Sequence, residues 1–459
     1  MSIIKREALI IGSGQGGAPL AVALAKRGQR VTLFEKGELG GSCINHGCTP
    51  SKALLAAAEL AASARRGAAM GVSLTSRVNF PEVLRHVQSQ VQAGRDGLSG
   101  YFNDAGVEVV HAEARFISDR RVTADGREYE APLIVIDVGT SARIPDLPGL
   151  RASPYLTDET IFDLPRLPQH LAILGGGPIG VELGQAYARL GAKVTILETA
   201  PRLLGVYDAD AAGIVQAALE ADGVRVMGSA KLESVAWNGE AFELNGSFGT
   251  MRADRFLVAI GRQPVNAALN LDLAGIKTDE HGYVAVDEHL RTTNPRVYAI
   301  GEAAGQAALT NVSWEDHLRV LSVLDGQAPR TRNDRVVSQA IFTDPQLAVV
   351  GLTETKAREA GLDAVAATQP LERVARARET GRTSGLSRLI VERGSHKLLG
   401  AVLVGPQAAE VAQVTLPIIQ RGGTLLELTD CVFSHPSWSE GLGTLARQLE
   451  EKLAAPAKP

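Results

Sequence analysis

Cysteine is scarce in this chain: three residues in 459, too few for the disulfide framework of a small secreted fold. Aromatic residues reach only 4%, and no apolar run approaches the roughly 18 residues that a membrane-spanning helix needs. An excess of charge is missing as well. The 47 basic and 51 acidic residues leave a formal charge of -4, and no basic stripe gathers of the kind that tracks a phosphate backbone, so nucleic acid is not an expected partner. The N-terminus passes from Lys5-Arg6 through a short apolar run into glycines without a cleavage-site pattern, which predicts a soluble cytoplasmic protein of about three domains. Glycine, by contrast, is abundant at 48 residues, and its placement carries the argument.

Residues 7–35 and 171–198 are two copies of one pattern: a β-rich run, three spaced glycines, an Ala/Leu helix, and a second strand closed by an acid. The glycines are Gly12, Gly14 and Gly17 in the first copy and Gly175, Gly177 and Gly180 in the second, and the acids are Glu35 and Glu198. A single G-x-G-x-x-G is weak evidence. Here both copies lie between strand and helix and both end in an acid able to accept hydrogen bonds from a ribose. The first glycine permits a tight turn, the second lets backbone approach a pyrophosphate, and the third lets helix and strand pack closely. Two dinucleotide sites are therefore expected, each unit ending in an apolar strand and a glycine, LIVIDVG at Gly139 and FLVAIG at Gly261.

The first copy is the longer, and its extra segment holds Cys43 and Cys48 in GGSCINHGCTPSK. Thr49 as N-cap and Pro50 at the first helical position predict a helix from Ser51 to about Arg66, which sets Cys48 at the positive end of a helix dipole with Lys52 in the first turn. Both features favour a thiolate. Zinc is disfavoured because no His/Cys cluster supplies two further ligands.

This segment resembles the active-site motif of the pyridine nucleotide-disulfide oxidoreductases, the family of dihydrolipoamide dehydrogenase, glutathione reductase and mercuric reductase. The resemblance covers nearly the whole chain in the family's order: FAD fingerprint, C-x4-C, NAD fingerprint, a second flavin motif in TTNPRVYAIGEAAGQAALTN, and a C-terminal dimerisation domain. It implies an α/β fold of two Rossmann-like domains plus an α+β dimerisation domain, divided as FAD-binding 1–149 and 266–331, NAD(P)-binding 150–265, and interface 332–459. It implies FAD held by the first fingerprint together with Gly41, Ser42, Lys52, Ala114, Gly139 and Glu302, where Glu302 stands in place of the family's usual Asp on the ribityl chain. NADH, with NADPH possible because of Arg202, would be held by the second fingerprint with Ile179, Glu198 and Gly261.

The resemblance also assigns chemistry. Cys48 becomes the thiolate beside the flavin, Cys43 the interchange thiol of a redox disulfide, and Lys52 with Glu182 the ion pair where hydride arrives. FSHPSWSEG matches the family's H-P-x-x-x-E, so His435 and Glu440 would be an acid/base dyad supplied across a homodimer interface. Cys431 is expected to be buried and inert. His46 is expected to face away or only tune the local field, and Trp438 to line the substrate mouth or an interface core. The implied function is an NAD(P)H:disulfide oxidoreductase acting on a small disulfide or thiol-reactive oxidant. The alternatives are a dihydrolipoamide dehydrogenase or a flavoprotein redox sensor with incidental turnover. The phrases VARARETGRTSG and NVSWEDHLRV resemble the mercuric-reductase-like branch, but no cysteine follows Cys431 and no metal-binding segment precedes the first fingerprint, so mercury is not the expected substrate.

Overall fold

The computed structural model describes residues 3–327 and 330–454, the side chains of Arg65 and Ala69 excepted. A strand, a crossover helix and a second strand return the chain parallel to itself, and both dinucleotide patterns do so. In the first unit, strands Val297–Ala299, Leu133–Ile136, Ala8–Ile11, Val31–Phe34 and Glu108–Val110 lie in that order, all parallel. In the second, Arg255–Val258, His170–Leu174, Lys193–Leu197 and Arg225–Met227 repeat the last four places of that order, again parallel. Strand Val297–Ala299 follows the second unit in sequence, so the chain leaves the first sheet and returns to it. Covered on both faces, these strands read as continuous apolar runs, and Ala8–Ile11 and Val31–Phe34 are buried throughout.

Each unit carries a further repeat that the glycine pattern does not announce. An antiparallel three-strand meander precedes the closing strand in both: Arg115–Phe116, Arg121–Ala124 and Arg127–Glu130 in the first, where Ile4–Lys5 adds a parallel edge strand, and Leu232–Trp237, Phe242–Gly246 and Gly249–Ala253 in the second. The crossover helices are Gly17–Lys26 and Pro178–Arg189. The first buries Leu20 and Leu24, the second Val181, Leu183 and Tyr187, each such side chain contributing about 1.5–3 kcal/mol.

The extra segment of the first unit forms helices Gly41–Asn45, Cys48–Ala69 and Phe80–Ala105. The cysteine helix begins at Cys48 with Gly47 as N-cap, not with Thr49 as N-cap and Pro50 first, and it runs on to Ala69. Gly47 makes the earlier start possible. Its amide donates to the Ser42 carbonyl at 2.6 Å, and a Cβ at this position would lie 3.0 Å from that oxygen. Pro50 is still in the first turn, where its missing N–H removes no intrahelical bond. Helix Cys48–Ala69 packs against Phe80–Ala105 on one side and against Pro178–Arg189 of the second unit on another.

The C-terminal segment is an antiparallel sheet in the order Ser338–Ile341, Gln346–Gly351, Leu398–Gly405, Leu386–Glu392, Ala364–Pro370. The alternating LSRLIVE and KLLGAVLVG runs pair as its central hairpin. Helix Glu440–Ala454 buries Leu442, Leu445, Ala446 and Leu449 on this sheet, one face of a 3.6-residue period. Among the described residues, no helix is long and apolar enough to cross a membrane.

Candidate active site

The two glycine loops have one geometry. Gly12 and Gly175 hold left-handed φ angles of +105° and +113°. A Cβ on Gly17 would come within 2.5 Å of the Gly12 carbonyl oxygen, and one on Gly180 within 2.0 Å of that of Gly175, so the third glycines are required by close packing. Glu35 Oε2 accepts from the Ser13 amide at 3.0 Å and the Ser13 hydroxyl at 2.7 Å, and Oε1 from the Gly37 amide at 2.9 Å. Glu198 repeats this with the Gly176 amide at 2.6 Å and the Ala200 amide at 2.7 Å. The second glycines differ. A Cβ on Gly177 would meet nothing within 4 Å, whereas one on Gly14 would meet Asp137 Oδ2 at 2.7 Å.

A cleft of about 370 Å3 opens at the first loop, with Gly12, Gly14, Glu35, Gly41, Ser42 and Ala114 in its walls. A second, of about 920 Å3, contains Cys43, Cys48, Lys52, Ile179, Glu182 and Glu302. Ser42 and His46 belong to both, so the two clefts form one path from Glu35 to the cysteines. A loop of backbone amides at a helix N-terminus, an acid for a ribose, and a continuing groove of this kind fit an extended dinucleotide. Gly139 and Gly261 line neither cleft; they turn the chain at strand ends, with φ of +64° and +112°. Of the residues assigned to the pyridine nucleotide, only Ile179 faces the cysteine-side cleft.

Cys43 and Cys48 are free thiols in the wall of one cleft. The neighbouring Cys43 thiol is the largest influence holding Cys48 down, at about 6. The Thr310 hydroxyl at 3.1 Å and the charge of Lys52 add to it, against the opposing effect of burial. The neighbouring Cys48 sulfur and burial push Cys43 far above the ordinary thiol range. The two shifts run in opposite directions, favouring the thiolate at Cys48 and the thiol at Cys43. The thiolate ultraviolet absorbance of the reduced pair is accordingly expected to rise with a midpoint near pH 6. The Lys52→Met substitution should move that midpoint upward; an unchanged midpoint would remove Lys52 from the account.

Lys52 Nζ lies 2.8 Å from Glu182 Oε2 and 4.6 Å above the Phe342 ring, while Glu182 Oε1 accepts the Phe342 amide at 2.8 Å. Glu182 is buried, so this pair between the cysteine helix and the second unit is not a solvated surface contact. Glu302 accepts from the Thr140 hydroxyl and from Arg262 Nε at 3.1 Å. Arg262 also bonds Asp158 and Ser42, so a cation holds the longer acid in place.

His435 Nδ1 lies 2.7 Å from Glu440 Oε2, as a tautomer-fixing dyad requires, but the histidine side chain is 70% exposed and does not line its own chain's cysteine cleft. One expectation needs correction and two are narrowed. Cys431 is exposed rather than buried, because it lies beyond the last turn of Leu426–Thr429, where its thiol donates to the Glu427 carbonyl at 2.9 Å. Of the two alternatives for His46, facing away is excluded, since it stands in the wall of both clefts. Trp438 packs on Leu371, Val374 and Ala377 and lines neither of these clefts.

Three residues of the site were not singled out from sequence: Thr310, Arg262 and Asp137. The first two stand in quoted motifs, LTN and the residue after Gly261. Asp137 is an acid inside the apolar run LIVIDVG; its Oδ2 accepts the Gly17 amide at 2.6 Å, and burial pushes it up to about 8.

Residues 6–316 match the family model described as pyridine nucleotide-disulphide oxidoreductase, and residues 337–446 match that family's dimerisation domain. The chain belongs to the pyridine nucleotide-disulphide oxidoreductases. A mercuric reductase of Staphylococcus aureus is 32% identical over 97% of this chain and 83% of its own length. A dihydrolipoyl dehydrogenase of Geobacillus stearothermophilus is 32% identical over 98% and 96%. The structure of the HOCl-induced flavoprotein disulfide reductase RclA from Escherichia coli matches with a TM-score of 0.88 at 33% identity, covering 96% of this chain and 99% of that one. As a pyridine nucleotide-disulphide oxidoreductase, the protein has two Rossmann-like units and a C-terminal dimerisation domain. It is an FAD- and pyridine-nucleotide-dependent oxidoreductase, and its dimerisation domain supports a homodimer.

Proposed function

We propose that the protein is a cytoplasmic NADH-dependent reductase of a small disulfide or thiol-reactive oxidant, working through Cys43 and Cys48. The observation that carries this reading is the placement of Cys43 and Cys48, with Thr310 bonded to Cys48 and the Lys52–Glu182 pair beside them, in a cleft walled by residues of both dinucleotide units. The domain limits 1–149 with 266–331, 150–265 and 332–459 are part of the same proposal. Gly12, Gly14, Gly17, Glu35, Ser42 and Glu302 would hold FAD, and Gly175, Gly177, Gly180 and Glu198 the pyridine nucleotide. When bound, FAD supplies the two-electron step between the nucleotide and the cysteine pair.

The residues of the chain do the rest. Cys43, deprotonated by His435 of the partner subunit, attacks one sulfur of a disulfide acceptor; that S–S bond breaks as a mixed disulfide forms, and the departing thiolate takes the proton from the imidazole. The Cys48 thiolate then attacks Cys43. This closes the Cys43–Cys48 bond, releases the second thiolate and passes two electrons from the pair to the acceptor. Glu440 holds the imidazole in the tautomer that presents its free nitrogen.

Glu198 disfavours a 2′-phosphate by like charge, and Arg202, the cation that could have offset it, donates to the carbonyls of Leu203, Leu204, Gly205 and Tyr207. The expected kcat/KM for NADH exceeds that for NADPH by about tenfold or more. The reverse order in steady-state kinetics would overturn the nucleotide assignment. A turnover panel with NADH and lipoamide, glutathione disulfide, an aromatic disulfide, hypothiocyanous acid and Hg(II) tests the reading as a whole. Negligible turnover of all five while the flavin is fully reduced would sink it.

A further inference from the structure

A third cleft, of about 510 Å3, lies in the dimerisation domain around the His435–Glu440 dyad. Three arginines reach it from three different elements: Arg373 from the turn Leu371–Arg373, Arg378 from helix Ala375–Glu379, and Arg447 from helix Glu440–Ala454. Many arginines of this chain are committed to carboxylates, as Arg189 is to Asp222 and Arg388 to Asp208. These three are not. Arg378 donates only to the Glu372 carbonyl at 3.1 Å, Arg447 only to the Thr429 carbonyl at 3.3 Å, and Arg373 has no hydrogen-bond or ion-pair partner among the described residues. Among the described residues, the one carboxylate in the wall, Glu440, is engaged with His435 Nδ1. Glu372 and Glu379 adjoin the arginines in sequence but do not line the cleft, and Glu379 lies 3.7 Å from Arg376 instead.

Three arginines in the wall of one cleft, without carboxylate partners among the described residues, mark a place where an anion is to be received, because the planar donor fork matches an oxyanion and a concave wall focuses the field. The same wall carries the histidine assigned to acid/base work. We propose that this cleft admits the electron acceptor and selects for an anionic one: a small disulfide or sulfur oxidant bearing a carboxylate or similar oxyanion. Arg373, Arg378 and Arg447 hold the charged group and leave the reactive sulfur toward His435. The inference rests on the proposed function, since it places the acceptor where the dyad meets the partner's cysteine pair, and the redox step is the disulfide exchange already written.

The test uses the flavin-loaded dimer with NADH and two disulfides of one chromophore: the dianionic 5,5′-dithiobis(2-nitrobenzoate) and its neutral bis-amide. The quantity read is the ratio of kcat/KM for the anion to that for the amide. Arg373→Gln and Arg447→Gln are each expected to lower this ratio by about tenfold, mainly through KM for the anion, and Arg378→Lys to retain most of it. In the wild type the ratio should also shrink when salt shortens the Debye length from about 10 Å to about 3 Å. A variant that misfolds loses both disulfides together, so turnover of the amide keeps the comparison valid. A ratio unmoved by both glutamine substitutions and by salt would overturn anion selection while leaving disulfide reduction intact. No turnover of either disulfide by the wild type would overturn both.

Discussion

Replacing Cys43 with serine is expected to lower kcat for disulfide reduction by about 10⁴ or more, because in the proposed mechanism Cys43 is the route from Cys48 to the acceptor. Stopped-flow reduction of the flavin by NADH should continue at close to the wild-type rate, since Cys43 acts after that step. Cys43 is also the neighbour that does most to stabilise the Cys48 thiolate. Cys43→Ala removes that thiol altogether, and the sign of its effect follows: the charged form loses support, so the Cys48 midpoint climbs from about 6 toward the ordinary thiol range. Serine keeps a hydroxyl donor and should move the midpoint less. Retention of disulfide turnover in Cys43→Ser would mean that Cys43 is not the interchange thiol.

His435→Ala is expected to cost about 10²–10⁴ in kcat, the usual range for a positioned general acid/base, with Glu440→Gln somewhat milder because the imidazole stays and only its orientation and basicity change. The stronger test is complementation. Because His435 is largely exposed and lies outside its own chain's cysteine cleft, a Cys43→Ser chain and a His435→Ala chain should be nearly inactive as separate homodimers. Mixed by joint refolding, they should form a heterodimer with one intact composite site, in which the first chain lends its histidine and the second its cysteines. Recovery of activity on mixing supports the shared site. Absence of recovery, with heterodimers verified by mass, would place dyad and disulfide in the same chain.

The dinucleotide units were legible because their requirements act on the backbone and admit few side chains. A left-handed turn at Gly12 and a 2.5 Å approach at Gly17 leave glycine as the residue that fits, so position in sequence reports position in space. The start of the cysteine helix was not legible, since it depends on Gly47 passing close to the Ser42 carbonyl, a contact that no propensity scale contains. Thr310 reaches Cys48 across 262 positions, and Arg262 reaches Ser42 across 220, so neither partner could be inferred from local pattern. Cys431 was misjudged because burial tendency is an average, and at this point the chain has just left a helix end for the surface. The paired antiparallel meanders escaped notice because their short strands repeat in hydrogen bonding and not in residue type.

Glu35 and Glu198 each clasp an amide of their own glycine loop through one carboxylate oxygen and the chain just beyond through the other. Loops this rich in glycine are costly to immobilise, and here much of that conformational entropy is surrendered during folding. A cofactor arriving at either loop meets a rigid receptor, so more of its contact energy appears as affinity. With the cofactors at these loops as proposed, shortening either acid to aspartate would return that ordering cost to the binding step and weaken cofactor retention before any bond to a ribose is counted.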